Sequence, residues 1–213
     1  MLRYGPIFCN CFLHLRQNYP LATGLLLFSK RNFYRLPVHG YQYPTAERIM
    51  IRAGVLSDTH LQRPDSLFTR QAQDCFRTCE VIIHAGDLTA LPVLEAFSGK
   101  TVYAVCGNMC DHMVRDRHPA QMLFTLGRFT IGLTHGAGLG HNIEDALWAL
   151  FPEADCMIYG HTHRPVCHRF GTTLFLNPGS FQATGRYGAP GTFAILEVGD
   201  ELSAQIFERP QTP

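Results

Sequence analysis

Two aspartates, one asparagine and four histidines stand where hydrophobic runs of this chain stop. They fall in five short segments: Asp58-Thr59-His60, Gly86-Asp87, Gly107-Asn108, His135-Gly136 and Gly160-His161-Thr162-His163. Their side chains offer oxygen and nitrogen donors, a set that suits divalent Mn, Fe, Co, Ni or Zn. Two such ions held roughly 3.5–4 Å apart clamp phosphorus for in-line attack, so phosphoester hydrolysis is the leading reading. A shared anion must offset the repulsion between two cations. Asp87 is assigned that bridging place, because Gly86 before it permits a tight exit from a strand. Asp58 and His60 are spaced i, i+2, as are His161 and His163. In an extended or loop backbone such pairs can face one ion, whereas on a helix they diverge.

Each segment also has an ordinary reading. Gly-Asp ends many strands as a simple turn. Asp-Thr-His serves as a helix N-cap or Asx-turn, and Asn108 tolerates a left-handed turn. A lone His135 caps or packs. Gly-His-x-His directly after an apolar strand is the more specific signal. What carries the metal reading is the joint occurrence of all five, in order, at strand ends.

The elements that must position these residues follow from periodicity. Ile51–Leu56, Val81–His84 and Thr101–Cys106 are short apolar runs that predict buried strands, ended by Ser57-Asp58, Gly86-Asp87 and Gly107-Asn108. Between them, 66–79 carries a near-helical stripe of Leu67, Phe68, Ala72, Cys75, Phe76 and Cys79. Leu91–Phe97 predicts a helix with Pro92 in its first turn. This alternation implies parallel strands with right-handed crossovers, whose ligands gather beyond the carboxyl ends. Gln121–Leu126 and Phe129–His135 read as a hairpin turning at Gly127-Arg128. Ile143–Phe151 reads as a helix and Cys156–Tyr159 as a buried strand. Val166–Phe170, Thr173–Leu176, Thr192–Val198 and Leu202–Glu208 then form a mostly antiparallel pattern. The sum is an α/β sandwich, two packed sheets with helices on the outer faces.

A chain of 213 residues with 46% hydrophobic content supports one well-cored domain. Its formal charge of +1 gives no argument for nucleic acid or an anionic membrane. Residues 1–48 hold Arg3, Arg16, Lys30, Arg31, Arg35 and Arg48 against the single acid Glu47, a charge of +5. The remainder is then −4, which two bound dications would offset. Residues 1–48 are read as a poorly ordered N-terminal extension outside the catalytic fold, with the domain spanning 49–213. Eight cysteines without a CxxC pair are read as reduced thiols of a cytoplasmic protein. No segment reaches the ~18 apolar residues of a membrane span.

The order Asp-x-His, Gly-Asp, Gly-Asn, His-Gly, Gly-His-x-His resembles the calcineurin-like metallophosphoesterase superfamily. Asn108-Met109-Cys110-Asp111 and Asn177-Pro178-Gly179-Ser180 look like its small prokaryotic phosphodiesterase branch, with the likeness running from about Arg52 to Glu208. The resemblance implies a metallophosphoesterase-type β-sandwich of two mixed sheets flanked by helices. It also implies two divalent ions, with manganese expected and Ni, Co, Fe or Zn as alternatives. One ion would be held by Asp58, His60, Asp87 and His163, the other by Asp87, Asn108, His135 and His161. Many members place His directly after Gly-Asn, where it acts on the leaving group. Here that position is Met109, which puts general-acid catalysis in doubt and favours diesters whose leaving group needs little protonation.

The expected activity is phosphodiester hydrolysis of a small substrate by metal-activated water, and a homo-oligomer is allowed. The rival from another class is a protein-binding scaffold of the same fold, like a retromer subunit, and fold alone does not separate the two. The completeness of the ligand set does. A phosphomonoesterase or nucleotidase would need further cationic groups for a dianion. Arg115, Arg117 and Arg164 are candidates for phosphate contact, with pairing to Asp111 or Asp116 as their structural alternative.

Overall fold

Successive side chains along a strand point to opposite faces, and in the central strands of both sheets both faces are buried. A computed structural model describes residues 50–182 and 190–210, all within the compact unit Ala46–Pro213. The extension read over 1–48 lies outside the described residues. Strands β1 (Ile51–Leu56), β2 (Val81–His84) and β3 (Thr101–Ala104) run parallel. They are joined through α1 (Ser66–Cys75) and a 3-10 helix at Leu91–Phe97. The short helix α2 (His112–Arg117) leads to β4 (Gln121–Leu126) and β5 (Phe129–Thr134), a hairpin. Helix α3 (Ile143–Leu150) crosses to β6 (Cys156–Ile158), and β7 (Val166–Phe170), β8 (Thr173–Asn177), β9 (Thr192–Val198) and β10 (Leu202–Glu208) complete the chain.

The strands divide into two mixed five-stranded sheets, ordered β10-β9-β1-β2-β3 and β4-β5-β6-β8-β7. Ala53, Val55, Ile83, Ile131, Leu133, Ile158, Leu176 and Leu196 point into one buried cluster shared by both sheets. The intervening positions face outward. On the first sheet Leu56, Ile82 and Ile195 pack under α1 and the 3-10 helix with Phe68, Phe76, Phe97, Phe181 and Phe193. On the second, Met157, Tyr159 and Phe175 pack under Leu147 of α3. The result is four layers, helix–sheet–sheet–helix, as the fold class predicts.

Several boundaries, one helix type and the placement of the last strands differ from the sequence reading. Helix α1 stops at Cys75, because Phe76 takes the C-cap and Cys79 N–H turns back to the Phe76 carbonyl. Both residues stay buried without being helical, while Leu67 of the expected stripe is exposed. Leu91–Phe97 is 3-10 and not α: it is short, begins at a proline, and closes with Ser98 N–H on the Glu95 carbonyl. β3 ends at Ala104, since Cys106 N–H bonds the Pro119 carbonyl outside the sheet. β6 ends at Ile158, before the expected Tyr159. The last four strands pair mostly antiparallel, as read, but divide between the two sheets. β7 and β8 join the second sheet, where β8 runs parallel to β6, and β9 and β10 return to the first.

Candidate metal centre

All seven residues read from the sequence follow the carboxyl ends of β1, β2, β3, β5 and β6, where the two sheets present a common edge. Main-chain bonds tie the loops together. Asp58 N–H donates to the Gly86 carbonyl at 3.0 Å, His60 N–H to the Asp87 carbonyl at 3.0 Å, and Gly160 N–H to the His135 carbonyl at 3.1 Å. The loop after β6 is tied across the sheets by His161 N–H, which donates to Asp58 Oδ2 at 3.1 Å.

The backbone is unusual at this edge. Asp58, His60, Asp87, Thr89, His161 and His163 have φ of 55, 48, 52, 70, 65 and 58°, the only described non-glycine residues with positive φ. Three loops therefore share one alternation, a left-handed residue, an ordinary one, then a left-handed one. Such a conformation costs about 1–2 kcal/mol per non-glycine residue, and clusters of it mark functional loops. In the first of these loops it brings Asp58 and His60 into one group, while His161 and His163 turn to different groups.

The donor atoms converge. His163 Nε2 lies 3.1 Å from Asp58 Oδ1, and His60 Nε2 lies 3.3 Å from His163 Nε2 and 3.7 Å from Asp58 Oδ1. His135 Nε2 lies 3.1 Å from Asp87 Oδ2, 3.1 Å from Asn108 Oδ1 and 3.9 Å from Asp58 Oδ1. The His161 ring stands edge-on to His135 with centroids 5.2 Å apart. Two groups thus have ligand atoms within 4.8 Å of one another, Asp58–His60–His163 and Asp58–Asp87–His135. Asn108 touches the second group directly, and His161 borders it.

Two glycines let the loops close in. A Cβ on Gly107 would sit 2.1 Å from Asp87 Oδ1, and one on Gly160 would sit 1.9 Å from Ser57 Oγ. Any side chain at either position drives a ligand loop outward. With Gly107 in place, Met109 N–H donates to Asp87 Oδ1 at 2.7 Å.

Electrostatically the centre is a buried anionic floor under a more open rim. Asp58 is 0% exposed and Asp87 2%, while Asn108 and His161 are exposed. Burial alone would raise both carboxyl pKa values. For Asp58 it is outweighed by hydrogen bonds from His163 and Ser57 and by the His135 charge, for Asp87 by the hydrogen bond and charge of His135, so both lie below the ordinary carboxylate value. Burial opposes charge on His135, yet its contact with Asp87 raises its pKa, and the Asp58 contact raises that of His163. The field that favours protons on these imidazoles also favours a divalent cation. Nitrogen and oxygen donors without sulfur match a hard or borderline divalent ion.

Several supporting residues escaped the sequence reading. Ser57 Oγ donates to Asp58 Oδ2 at 2.5 Å, and Ser180 Oγ donates to the Asp58 carbonyl at 3.0 Å. Asn177 Nδ2 reaches the Gly160 carbonyl at 2.9 Å and Thr162 Oγ1 at 3.0 Å, clamping the loop of His161 and His163. The Asn-Pro-Gly-Ser run signalled this clamp only as a resemblance. Arg115, a candidate phosphate ligand or ion-pair partner, instead spans the Asn108 and Cys110 carbonyls at 2.8 and 2.9 Å and braces their loop. Arg164 lines a cleft beside His161, and His112 is exposed at the start of α2. His84 is fully buried beneath the centre with Nε2 3.3 Å from Thr59 Oγ1.

The fold and this arrangement define a class. The chain belongs to the calcineurin-like phosphoesterase superfamily, whose domain pattern matches residues 51–201. It is 36% identical to a probable metallophosphoesterase of Methanothermobacter thermautotrophicus, over 72% of this chain and 90% of that one. It is 26% identical to a phosphodiesterase of Methanocaldococcus jannaschii, over 69% of this chain and 93% of the relative. The solved structure of vacuolar protein sorting 29 from Cryptosporidium parvum has the same fold. Its TM-score is 0.58 and its identity 20%, covering 75% of this chain and 98% of that one.

Proposed function

We propose that this chain is a dinuclear metal-dependent phosphodiesterase acting on a small phosphodiester. The observation that carries the reading is the gathering of four histidines and one asparagine around two buried carboxylates at one edge. Asp58, His60, Asp87 and His163 would hold one ion, and Asp87, Asn108, His135 and His161 the other, with manganese the metal we expect. When bound, two divalent cations would supply Lewis acidity to the phosphoryl oxygens and lower the pKa of water toward neutrality.

Asp58 is common to both groups of converging atoms, yet Asp87 is the carboxylate we assign between the ions. It follows β2, which lies between β1 and β3 and so between the loops of Asp58 and Asn108, and it stands closer to His135 than Asp58 does. Ser57, Asn177 and Ser180 orient the ligand loops through hydrogen bonds, as outer partners of a metal site do.

Diesters are favoured over monoesters for two reasons drawn from this chain and one from a relative. Met109 brings no proton donor to the position after Asn108, and Arg115 is spent on the Asn108 loop, leaving few cations for a dianion. The phosphodiesterase of Methanocaldococcus jannaschii supports the same substrate class. The match beginning at Ile51 supports a catalytic domain spanning 49–213, with 1–48 outside it. Six free cysteines among the described residues support a reducing, cytoplasmic setting. No described helix is long and apolar enough to cross a membrane.

The test pairs metal analysis with hydrolysis of bis-(p-nitrophenyl) phosphate and p-nitrophenyl phosphate under Mn²⁺. Wild type is expected to bind two ions and to prefer the diester, and Asp87→Asn to lose both binding and turnover. A variant with undiminished activity removes Asp87 from the centre. A fully loaded protein that hydrolyses neither ester is a scaffold, the role the shared vacuolar-sorting fold makes available.

A further inference from the structure

Beside the metal ligands lies an open cleft of about 910 Å³, running from Gly136 and His161 to the start of α3 and of β7. Ligand pockets of drug-like size span about 300–1,000 Å³. We propose that this cleft is the subsite for one ester arm of the diester and selects a neutral, hydroxyl-rich arm of nucleoside size. The proposal rests on the phosphodiesterase reading above.

The first argument is continuity. His161 belongs to both the ligand cluster and the cleft wall, so an arm on a phosphorus held at the centre enters the cleft directly. The second is the wall's chemistry. Asn142, Glu144, Asp145 and Thr162 contribute polar groups, against the apolar surfaces of Ile143 and Val166. An alkyl arm would displace water from those polar groups without replacing its hydrogen bonds, whereas hydroxyls replace them.

Glu144 is the anchor. Its Oε1 accepts from the Tyr159 hydroxyl at 3.4 Å and lies 2.9 Å from His168 Nε2, which fixes the carboxylate. Among the described residues Oε2 has no hydrogen-bond partner, so it is available to a ligand hydroxyl as a charge-assisted acceptor. Burial and the Glu144 charge push the Tyr159 hydroxyl up to about 12, which keeps it a donor. Charge sets the remaining preference. Glu144 and Asp145 occupy the first turn of α3 and already answer its dipole. The lining sets one guanidinium, Arg164, against these two carboxylates, so an arm bearing a second phosphate is repelled more than it is held.

The experiment measures competitive inhibition of ethyl p-nitrophenyl phosphate hydrolysis by the Mn²⁺-loaded protein, which reads arm binding without cleaving the arm. Thymidine 5′-phosphate is expected to show a Ki about tenfold or more below that of ethyl phosphate. Thymidine 3′,5′-bisphosphate is expected to bind more weakly than thymidine 5′-phosphate. Glu144→Ala should bring the first ratio within about threefold, and Val166→Trp, which fills the cleft from β7, should do the same. Equal Ki values in wild type overturn the proposal. So does a ratio unchanged in both variants at native melting temperature, or tighter binding of the bisphosphate. If ethyl p-nitrophenyl phosphate is not hydrolysed at all, the phosphodiesterase reading falls and the cleft assignment falls with it, an outcome distinct from a flat inhibition ratio.

Discussion

At the scale of single residues, the centre is built from side chains whose types were visible and backbone angles that were not. The i, i+2 spacing pointed each pair at one target, which Asp58 and His60 share, whereas His163 joins them and His161 stands beside His135. Asp, Asn and His tolerate left-handed backbone better than most residues, but that tendency is too weak to predict three consecutive loops with the same alternation. Ser57, Asn177 and Ser180 were illegible for another reason: each bonds a carbonyl distant in sequence, and a lone Ser or Asn carries no mark of such a bond. Gly107 offers the sharpest test at this scale. Gly107→Ala places a methyl 2.1 Å from Asp87 Oδ1, so the carboxylate must move. Mn²⁺ affinity by calorimetric titration is expected to fall about 10- to 100-fold, the usual cost of disturbing a ligand's support. Affinity equal to wild type would show that this close approach does not hold Asp87 in place.

Among the elements, central strands were the most legible because both their faces are buried, so each reads as a short apolar run. Ala53 and Val55 against Leu56, and Cys156 and Ile158 against Met157, separate onto opposite faces as a two-residue period demands. Helix ends were less legible. Phe76 and Cys79 sit on a helical stripe yet leave the helix, since burial in the aromatic cluster satisfies them in either backbone. Phe76 touches Phe97, Phe181 and Phe193 with ring centroids 6.0, 5.8 and 5.2 Å away. This cluster fastens α1 and the 3-10 helix to the sheet that carries Asp58 and Asp87. Phe76→Ala is expected to cost about 3–5 kcal/mol in urea unfolding, as large aromatic deletions do. A loss under about 1 kcal/mol would mean that the neighbouring rings collapse into the gap.

For the whole molecule, a pH dependence is built in below the centre. Burial lowers His84 from 6.5 to about 3, although Asp58 and Asp87 pull the other way. The unfolded chain takes up this proton as pH drops below 6.5, while the folded one does not until near 3. The stability associated with neutral His84 is therefore complete above pH 6.5 and is lost as pH falls toward 3. Between pH 6.5 and 5, wild type should lose about 2 kcal/mol more than His84→Asn in urea unfolding. Equal losses would remove His84 as the source.

The bonds from His161 to Asp58 and from Ser180 to Asp58 carry one more consequence. With the ligand set proposed above, neither layer would own a finished ion cage, so cations seated there would act as a rivet driven through both. Prising the layers apart and shedding the ions would then be one event, and whatever slows the first would prolong the residence of the second.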